Sequence, residues 1–271
     1  MSLSIRLAGL WIYPVKACGG MALESAQVGP AGLSGDREWV VVNAAGELTW
    51  QGAVARLALV RPELTADSLV LHAPNRGALE LPRHGRCTPC RVKAWNEQRR
   101  DFDVLDGHDA GAEAAQWLSD LAGEPLRLVR LGEAAHRRPS LNPLHLLSLA
   151  SLDALNARLA NAGHRAVGIE RFRPNLLIST DARLPEFCED QLAALRFPGP
   201  ITLRAVGPCV RCVVPNVDPA DASVGEQPLA EVTAISAQRR PGGPVAFGAY
   251  LRTTTSGLLH VGMEGAAELD F

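Results

Sequence analysis

Apolar positions in the first hundred residues fall in short runs broken by turn residues. The runs are Ile5–Tyr13, Glu38–Val42, Leu57–Val60 and Ser68–Leu71. Between them lie Gly19-Gly20, Gly29-Pro30, Gly32, Gly35, Gly46 and Pro74-Asn75-Arg76-Gly77. Short runs with regular glycine and proline punctuation predict short strands that close into a barrel-like sheet.

The periodicity then changes. Ala114, Trp117, Leu118 and Leu121 stand at i, i+3, i+4 and i+7, one apolar stripe of a helix, and Gly123 and Pro125 supply its stop. A strand is expected at Leu126–Leu131, followed by a polar loop through Ala135-His136-Arg137-Arg138-Pro139. Leu144–Leu149 reads as a buried strand, with His145 in its core. Ser151 is placed to cap a helix with Leu152, Leu155 and Leu159 on its apolar face, ended by Gly163. Further strands are expected at Asn175–Ser179, Ile201–Val206, Val245–Arg252 and Leu258–Val261. The pattern therefore predicts a β-rich, mixed α/β chain with a few short helices, in two parts, 1–123 and 124–271.

Composition narrows this picture only a little. The chain of 271 residues is 47% hydrophobic and 21% charged, which suits a packed globular core and argues against disorder. A net charge of −2 gives no global attraction for nucleic acid or an acidic membrane, so an anionic ligand needs a local cluster of donors. Neither a signal-type apolar stretch nor a bilayer-length run is seen, and a cytoplasmic location is the expectation. In that setting the six cysteines stay reduced, and metal binding or reactivity is favoured over disulfides. Lys16 and Lys93 are the only lysines among 27 basic residues, so lysine chemistry has two candidates.

Two C-x-x-C pairs stand out, Cys87-Thr-Pro-Cys90 and Cys209-Val-Arg-Cys212. A four-cysteine zinc site would have to bridge the 118 residues between Cys90 and Cys209, unlike a compact zinc knuckle. Cys90 leads into Arg-Val-Lys-Ala-Trp, a strand rather than the helix N-terminus that a thioredoxin-like pair requires. Cys209 and Cys212 follow a strand and Gly207-Pro208, a strand-end loop where functional groups collect. Arg211 adds charge that favours a thiolate, a soft ligand for a soft or redox-active metal. Spacing alone leaves buried structural cysteines as an equal reading. Glu189-Asp190 and the arginine pairs 99-100, 137-138 and 239-240 read as solvated charges.

Five strings in order carry a resemblance. They are Leu10-Trp-Ile-Tyr-Pro-Val-Lys16-Ala-Cys-Gly-Gly20, Gly35-Asp-Arg37-Glu-Trp39, Arg171-Phe-Arg173-Pro-Asn175, Cys209-Val-Arg-Cys212 with Val217-Asp-Pro219, and Phe247-Gly-Ala-Tyr250. Together they resemble the MOSC family with its N-terminal companion domain, in a pattern similar to the mitochondrial amidoxime-reducing component and its bacterial counterparts. The resemblance implies a N-terminal β-barrel domain and a MOSC β-barrel domain that hold a molybdenum cofactor (a molybdopterin) between them. It implies Cys212 as the molybdenum ligand and catalytic centre, with Cys209 a neighbour. It also implies Lys16, Arg37 and Arg173 as phosphate donors, assisted by Asn175, with Asp218 shaping the cysteine loop.

The chain departs from that pattern at Ala17, at Val210, at Pro215-Asn216 and after Trp50-Gln51, where polar residues are usual. The activity implied is reduction of N-hydroxylated small molecules. No ferredoxin-like, haem or flavin motif is present, so electrons would come from a separate transfer protein or reductase. Two other classes stay open: a sulfur or cofactor carrier without turnover, and a pyridoxal-phosphate protein using Lys16 or Lys93 as its Schiff-base lysine.

Overall fold

A computed structural model describes residues 2–85, 88–137, 144–180 and 185–270. Cys87 and Arg138 lie outside the described residues. The centre of the fold is a closed barrel of seven strands: β1 (Ser2–Ile12), β2 (Leu144–Ser148), β3 (Leu176–Ser179), β4 (Leu192–Arg196), β5 (Thr202–Val210), β6 (Ala246–Arg252) and β7 (Glu264–Leu269). Their spatial order is β3-β2-β6-β5-β4-β7-β1, and antiparallel pairing of β1 with β3 closes the ring. Closure removes the unpaired edges that an open sheet would expose.

The barrel interior is filled by Ile5, Leu7, Leu144, Leu146, Leu176, Ile178, Leu203 and Leu251, among others. Alternation along β2 sends Leu144 and Leu146 inward and Leu147 outward. Outside, Leu147 meets Leu155, Leu159, Phe172, Val232 and Phe247, so β2 is buried on both faces. That is why its sequence reads as a continuous apolar run.

Met21–Leu23 adds to β1 at the barrel, and the other strands form smaller sheets. One joins Trp39–Asn43, Leu126–Arg130, Asp101–Asp109 and Thr88–Asn96, in that order. Another joins Arg61–Leu64, Ser68–His72 and Leu79–Pro82. A third pairs Ser25–Gly29 with Gly257–His260, and β1 itself sits among C-terminal strands, so the two ends of the chain interleave. Helix α1 (Ala112–Ala122) turns Ala114, Leu118 and Leu121 into the core and ends at Gly123, whose φ of +84° is readily adopted only by glycine. No helix among the described residues is long and apolar enough to cross a membrane.

Several local expectations are corrected. Leu57–Val60 is not a strand; Ala55–Leu59 forms a 3-10 turn whose Leu57 and Ala58 are buried. A helix α3 (Leu229–Arg239), which the sequence pattern had not suggested, buries Val232 and Ile235 against α2 (Leu149–Asn161). Ser148, not Ser151, caps α2: its hydroxyl accepts the Ser151 N–H at 3.1 Å. Of the Glu189-Asp190 pair, Glu189 does not face water. The Glu189 carboxylate is buried and accepts the Ser148 N–H and the Ser151 hydroxyl, each at 2.7 Å. Asp190 pairs with Arg239 and Arg240, and Arg239 stacks on Phe187 at 4.1 Å. Asp190 and Arg239 are thus paired charges that still reach the surface, and Arg240 is partly buried.

Glu189→Ala would leave the Ser148 N–H and the Ser151 hydroxyl buried without an acceptor, at a cost of about 2–3 kcal/mol. Urea unfolding should show that loss, and Glu189→Gln, which keeps one acceptor, should recover part of it.

Candidate functional site

Where the barrel meets the N-terminal sheets, a cleft of about 240 Å³ opens. Its walls include Lys16, Arg37, Arg173 and Cys212, four of the five residues expected at a site, together with Trp50, Gln51, His145, Arg211 and Tyr250. The fifth, Asn175, is not in the wall but buried behind it.

Backbone pairing explains how distant segments converge. Trp39 N–H donates to the Pro14 carbonyl and Lys16 N–H to the Trp39 carbonyl, at 3.0 and 2.8 Å. Arg37 N–H donates to the Tyr13 carbonyl at 2.8 Å, so residues 13–16 and 37–39 run side by side. Asn175 ties this pair to the barrel. Its side-chain oxygen accepts the His145 N–H (3.1 Å) and the Arg37 guanidinium (3.3 Å). Its amide nitrogen donates to the Trp11 carbonyl and to Asp36, both at 3.1 Å. Asp36 is fully buried; it also accepts the Tyr13 N–H at 2.7 Å and pairs with Arg37.

Charge in the wall is held by aromatic and carbonyl contacts. Arg37 and Arg173 lie 5.0 and 4.2 Å from the centre of the Tyr13 ring. Arg173 also donates to the Cys18 carbonyl, and Tyr13 donates its hydroxyl to the Pro174 carbonyl at 3.1 Å. Burial works against the Arg37 charge, but the Asp36 carboxylate outweighs it and the residue stays cationic. Burial lowers Arg173 to about 10, still protonated at neutral pH. Ala17, Arg37 and Arg173 all adopt left-handed backbone, with φ of +73°, +52° and +57°. Such positions cost about 1–3 kcal/mol each and concentrate at functional sites. All three line this cleft.

The two cysteines of the Cys209-Val-Arg-Cys212 string face different surroundings. Cys209 lies within β5, not in a loop after it, because two irregularities in the β5–β6 register let the strand continue past Gly207-Pro208. It is buried, and burial raises its thiol pKa against the opposing pull of Arg211. Cys212 stands just past the strand end and is exposed. Burial pushes the Cys18 and Cys188 thiols up to about 12. Cys90 packs instead among Val40, Val42, Val92 and Val129, in the sheet of strand 88–96. Lys93 is exposed on that strand and is absent from the cleft wall.

Arg211 holds the loop that carries Cys212. Its guanidinium donates to the Phe172 carbonyl (3.0 Å), to the Phe247 carbonyl (2.9 Å) and to His145 Nε2. An arginine can only donate, so Nε2 accepts and His145 is neutral here. Gly248 makes room for that ring: a Cβ there would fall 2.4 Å from the Leu146 carbonyl oxygen and 2.7 Å from His145 Nε2. Asp218 pairs with Arg171 at 2.8 Å, and Arg171 also holds the Pro215 carbonyl, so Asp218 shapes the segment after Cys212. Asp36, His145, Arg211 and Tyr13 were absent from the expected set of site residues; Asp36, Arg211 and Tyr13 lie within the motif strings, and His145 lies in none of them.

The chemistry of this donor set, an exposed thiol beside a wall of fixed cations, fits a metal-bearing cofactor with an anionic tail. Among the described residues no group of three or more His, Cys, Asp or Glu side chains could hold a metal ion by itself.

Comparison with known proteins agrees with this architecture. Residues 4–125 match the MOSC N-terminal beta barrel domain and residues 133–264 the MOSC domain. The chain belongs to the MOSC family. Within it, the chain is 30% identical to human mitochondrial amidoxime-reducing component 1, over 94% of this chain and 81% of that protein. It is also 30% identical to bovine mitochondrial amidoxime reducing component 2, over 78% of this chain and 66% of that protein. A molybdenum cofactor sulfurase of Danio rerio is 28% identical over 96% of this chain, which spans only 34% of that longer protein. These relatives support a function connected with the molybdenum cofactor.

Two outcomes follow from the geometry. Asn175→Ala removes four side-chain bonds at a buried node and should destabilise the chain by about 3 kcal/mol in denaturant unfolding. Burial, reinforced by the Arg211 charge, holds the His145 pKa well below its usual value. The unfolded chain therefore takes up this proton first as pH falls. The stability from neutral His145 is complete above about pH 6.5 and declines below it, towards the folded pKa. Thermal unfolding from pH 7.5 to 5 should show that decline, and His145→Gln should remove its contribution.

Proposed function

We propose that the chain binds a molybdenum cofactor in this cleft and reduces N-hydroxylated small molecules with electrons delivered by a separate protein. One observation carries the reading. Lys16, Arg37, Arg173 and Cys212, from four distant segments, line a single cleft in which the cysteine is exposed and the two arginines are held by hydrogen bonds. Cys212 would supply the thiolate ligand, and Lys16, Arg37 and Arg173 would hold the phosphate of the pterin tail. The bound group supplies two-electron oxygen-atom transfer, which takes an N–OH function to N–H with release of water after two protons and two electrons are added.

The chain's own residues contribute position and access. Asp36 and Asn175 fix the Arg37 fork, Tyr13 supports two guanidinium groups, and Arg211 fastens the Cys212 loop to the barrel. The exposure of Cys212 suits delivery of electrons from a docked protein. The sulfurase relative favours a second reading, a cofactor or sulfur carrier without turnover. It differs in a measurable way: such a protein holds molybdenum yet leaves N-hydroxy compounds unreduced when a chemical reductant supplies electrons.

Protein from cofactor-replete cells should carry molybdenum when assayed by elemental mass spectrometry, and Cys212→Ala should lose most of it. Arg173→Ala should retain it less tightly, with the loss growing at high phosphate. Equal molybdenum in wild type and Cys212→Ala removes that cysteine as the ligand. None in either, with the chain folded and the biosynthetic pathway working, removes the reductase reading.

A further inference from the structure

One buried amide in the cleft wall has nothing in the protein to bond. Arg37, Arg173, Arg211 and His145 are tied by hydrogen bonds to other residues, and Lys16 is partnered as well. Gln51 differs. It is 6% exposed, and no hydrogen bond reaches its side-chain amide from any described residue. The amide is not sealed into the core either, because its atoms keep access to the cavity they line. An unbonded amide in a buried place is costly, and one that opens into a cleft is a group kept for a ligand.

Gln51 stands where two cavities meet. The main cleft of about 240 Å³ and a smaller one of about 80 Å³ share Gln51, Arg173 and Val214 in their walls, so they are neighbouring compartments of one groove. The backbone on both sides of Gln51 is held. Thr49 N–H donates to the Val41 carbonyl at 2.9 Å, and the Trp50 carbonyl accepts the N–H groups of Ala53 and Val54, each at 3.0 Å. The amide is thus presented from a fixed turn, which reduces the ordering cost of binding to it.

Its chemistry restricts what it takes. A carboxamide offers two N–H donors and one carbonyl acceptor. A phosphate oxygen accepts from the nitrogen but leaves Oε1 unbonded, and a cation does the reverse. A heterocycle edge that sets a donor beside an acceptor satisfies both ends at once, as when glutamine pairs with an adenine edge. In the cofactor proposed above, the phosphate has donors in Lys16, Arg37 and Arg173, and the metal has Cys212. The part without an assigned partner is the pterin, whose pyrimidinone ring carries a carbonyl beside an N–H.

We infer that Gln51 is the residue that recognises the pterin, its amide pairing with the carbonyl and N–H of that ring edge, an assignment that rests on the cofactor reading above. Gln51 here sets affinity and ring recognition; it binds no metal and moves no proton.

Gln51→Met, which keeps the side chain's length and removes both donor and acceptor, tests this in the full chain made in cofactor-replete cells. Retention after dilution is read twice, as molybdenum by elemental mass spectrometry and as pterin by the fluorescence of its oxidised form. Both should leave Gln51→Met about tenfold faster than wild type, in step with each other and to the same extent at low and high phosphate. Made without the cofactor, Gln51→Met should unfold at the wild-type temperature or above it, since the amide bonds nothing in the empty chain. A lower unfolding temperature there gives the amide a role in the fold and overturns the assignment. A loss that grows with phosphate places Gln51 at the anion instead and overturns it too. Cofactor held equally well by both chains removes Gln51 alone, whereas molybdenum and pterin both absent from wild type remove the cofactor reading and this assignment with it.

Discussion

One buried amide ties together the two walls of the cleft, in a chain whose ends are already interleaved by strand pairing. Asn175 is 1% exposed, and its side chain meets His145 on β2, the Trp11 carbonyl on β1, and the Asp36–Arg37 turn of the N-terminal region. Asparagine suits this place because it offers donors and acceptors at once without bringing a charge into the core. An apolar residue of similar size would leave the buried His145 N–H and part of Asp36 unsatisfied, and in a low-dielectric interior such losses are expensive.

The cationic wall inherits its order from that joint. Arg37 stays cationic in a half-buried position because it pairs with Asp36, which is itself satisfied by the Tyr13 N–H and Asn175. Left-handed backbone at Ala17, Arg37 and Arg173 is unfavourable locally, and the surrounding hydrogen bonds over-determine it. The result is a set of donors already in place, so a ligand need not spend binding energy on ordering long side chains. Lys16, next to the strained Ala17, belongs to the same arrangement.

The opposite wall is governed by strand irregularity. Regular pairing of β5 with β6 would fix which side chains face inward by simple alternation. The shifts near Gly207 and Pro208–Val210 break that alternation; Cys209 is buried, while Cys212 emerges past the strand end. Arg211, between them, then anchors to the Phe172 carbonyl and to two groups of the barrel, one of which is a histidine accommodated only because residue 248 is glycine. Two cysteines three positions apart thus acquire opposite character, one a buried thiol and one an accessible ligand.

Period and punctuation in the sequence were enough for the β-rich class, for helix α1 with its Gly123 stop and for most barrel strands, because one-sided burial imprints a repeat on the chain. The motif strings likewise marked Lys16, Arg37, Arg173 and Cys212 as residues worth following. Elsewhere local signals misled: Ser151 was as good a cap as Ser148, α3 has a weak apolar stripe, and Glu189-Asp190 looked solvated until folding placed their partners opposite. Closure of the barrel through β1 and β3, separated by more than 160 residues, has no local signature at all. Nor has the placement of Trp50 at the cleft mouth, or the pairing of Arg211 with His145. These are long-range contacts, fixed by how strands close and where buried polar groups find each other, so only the tertiary structure decides them.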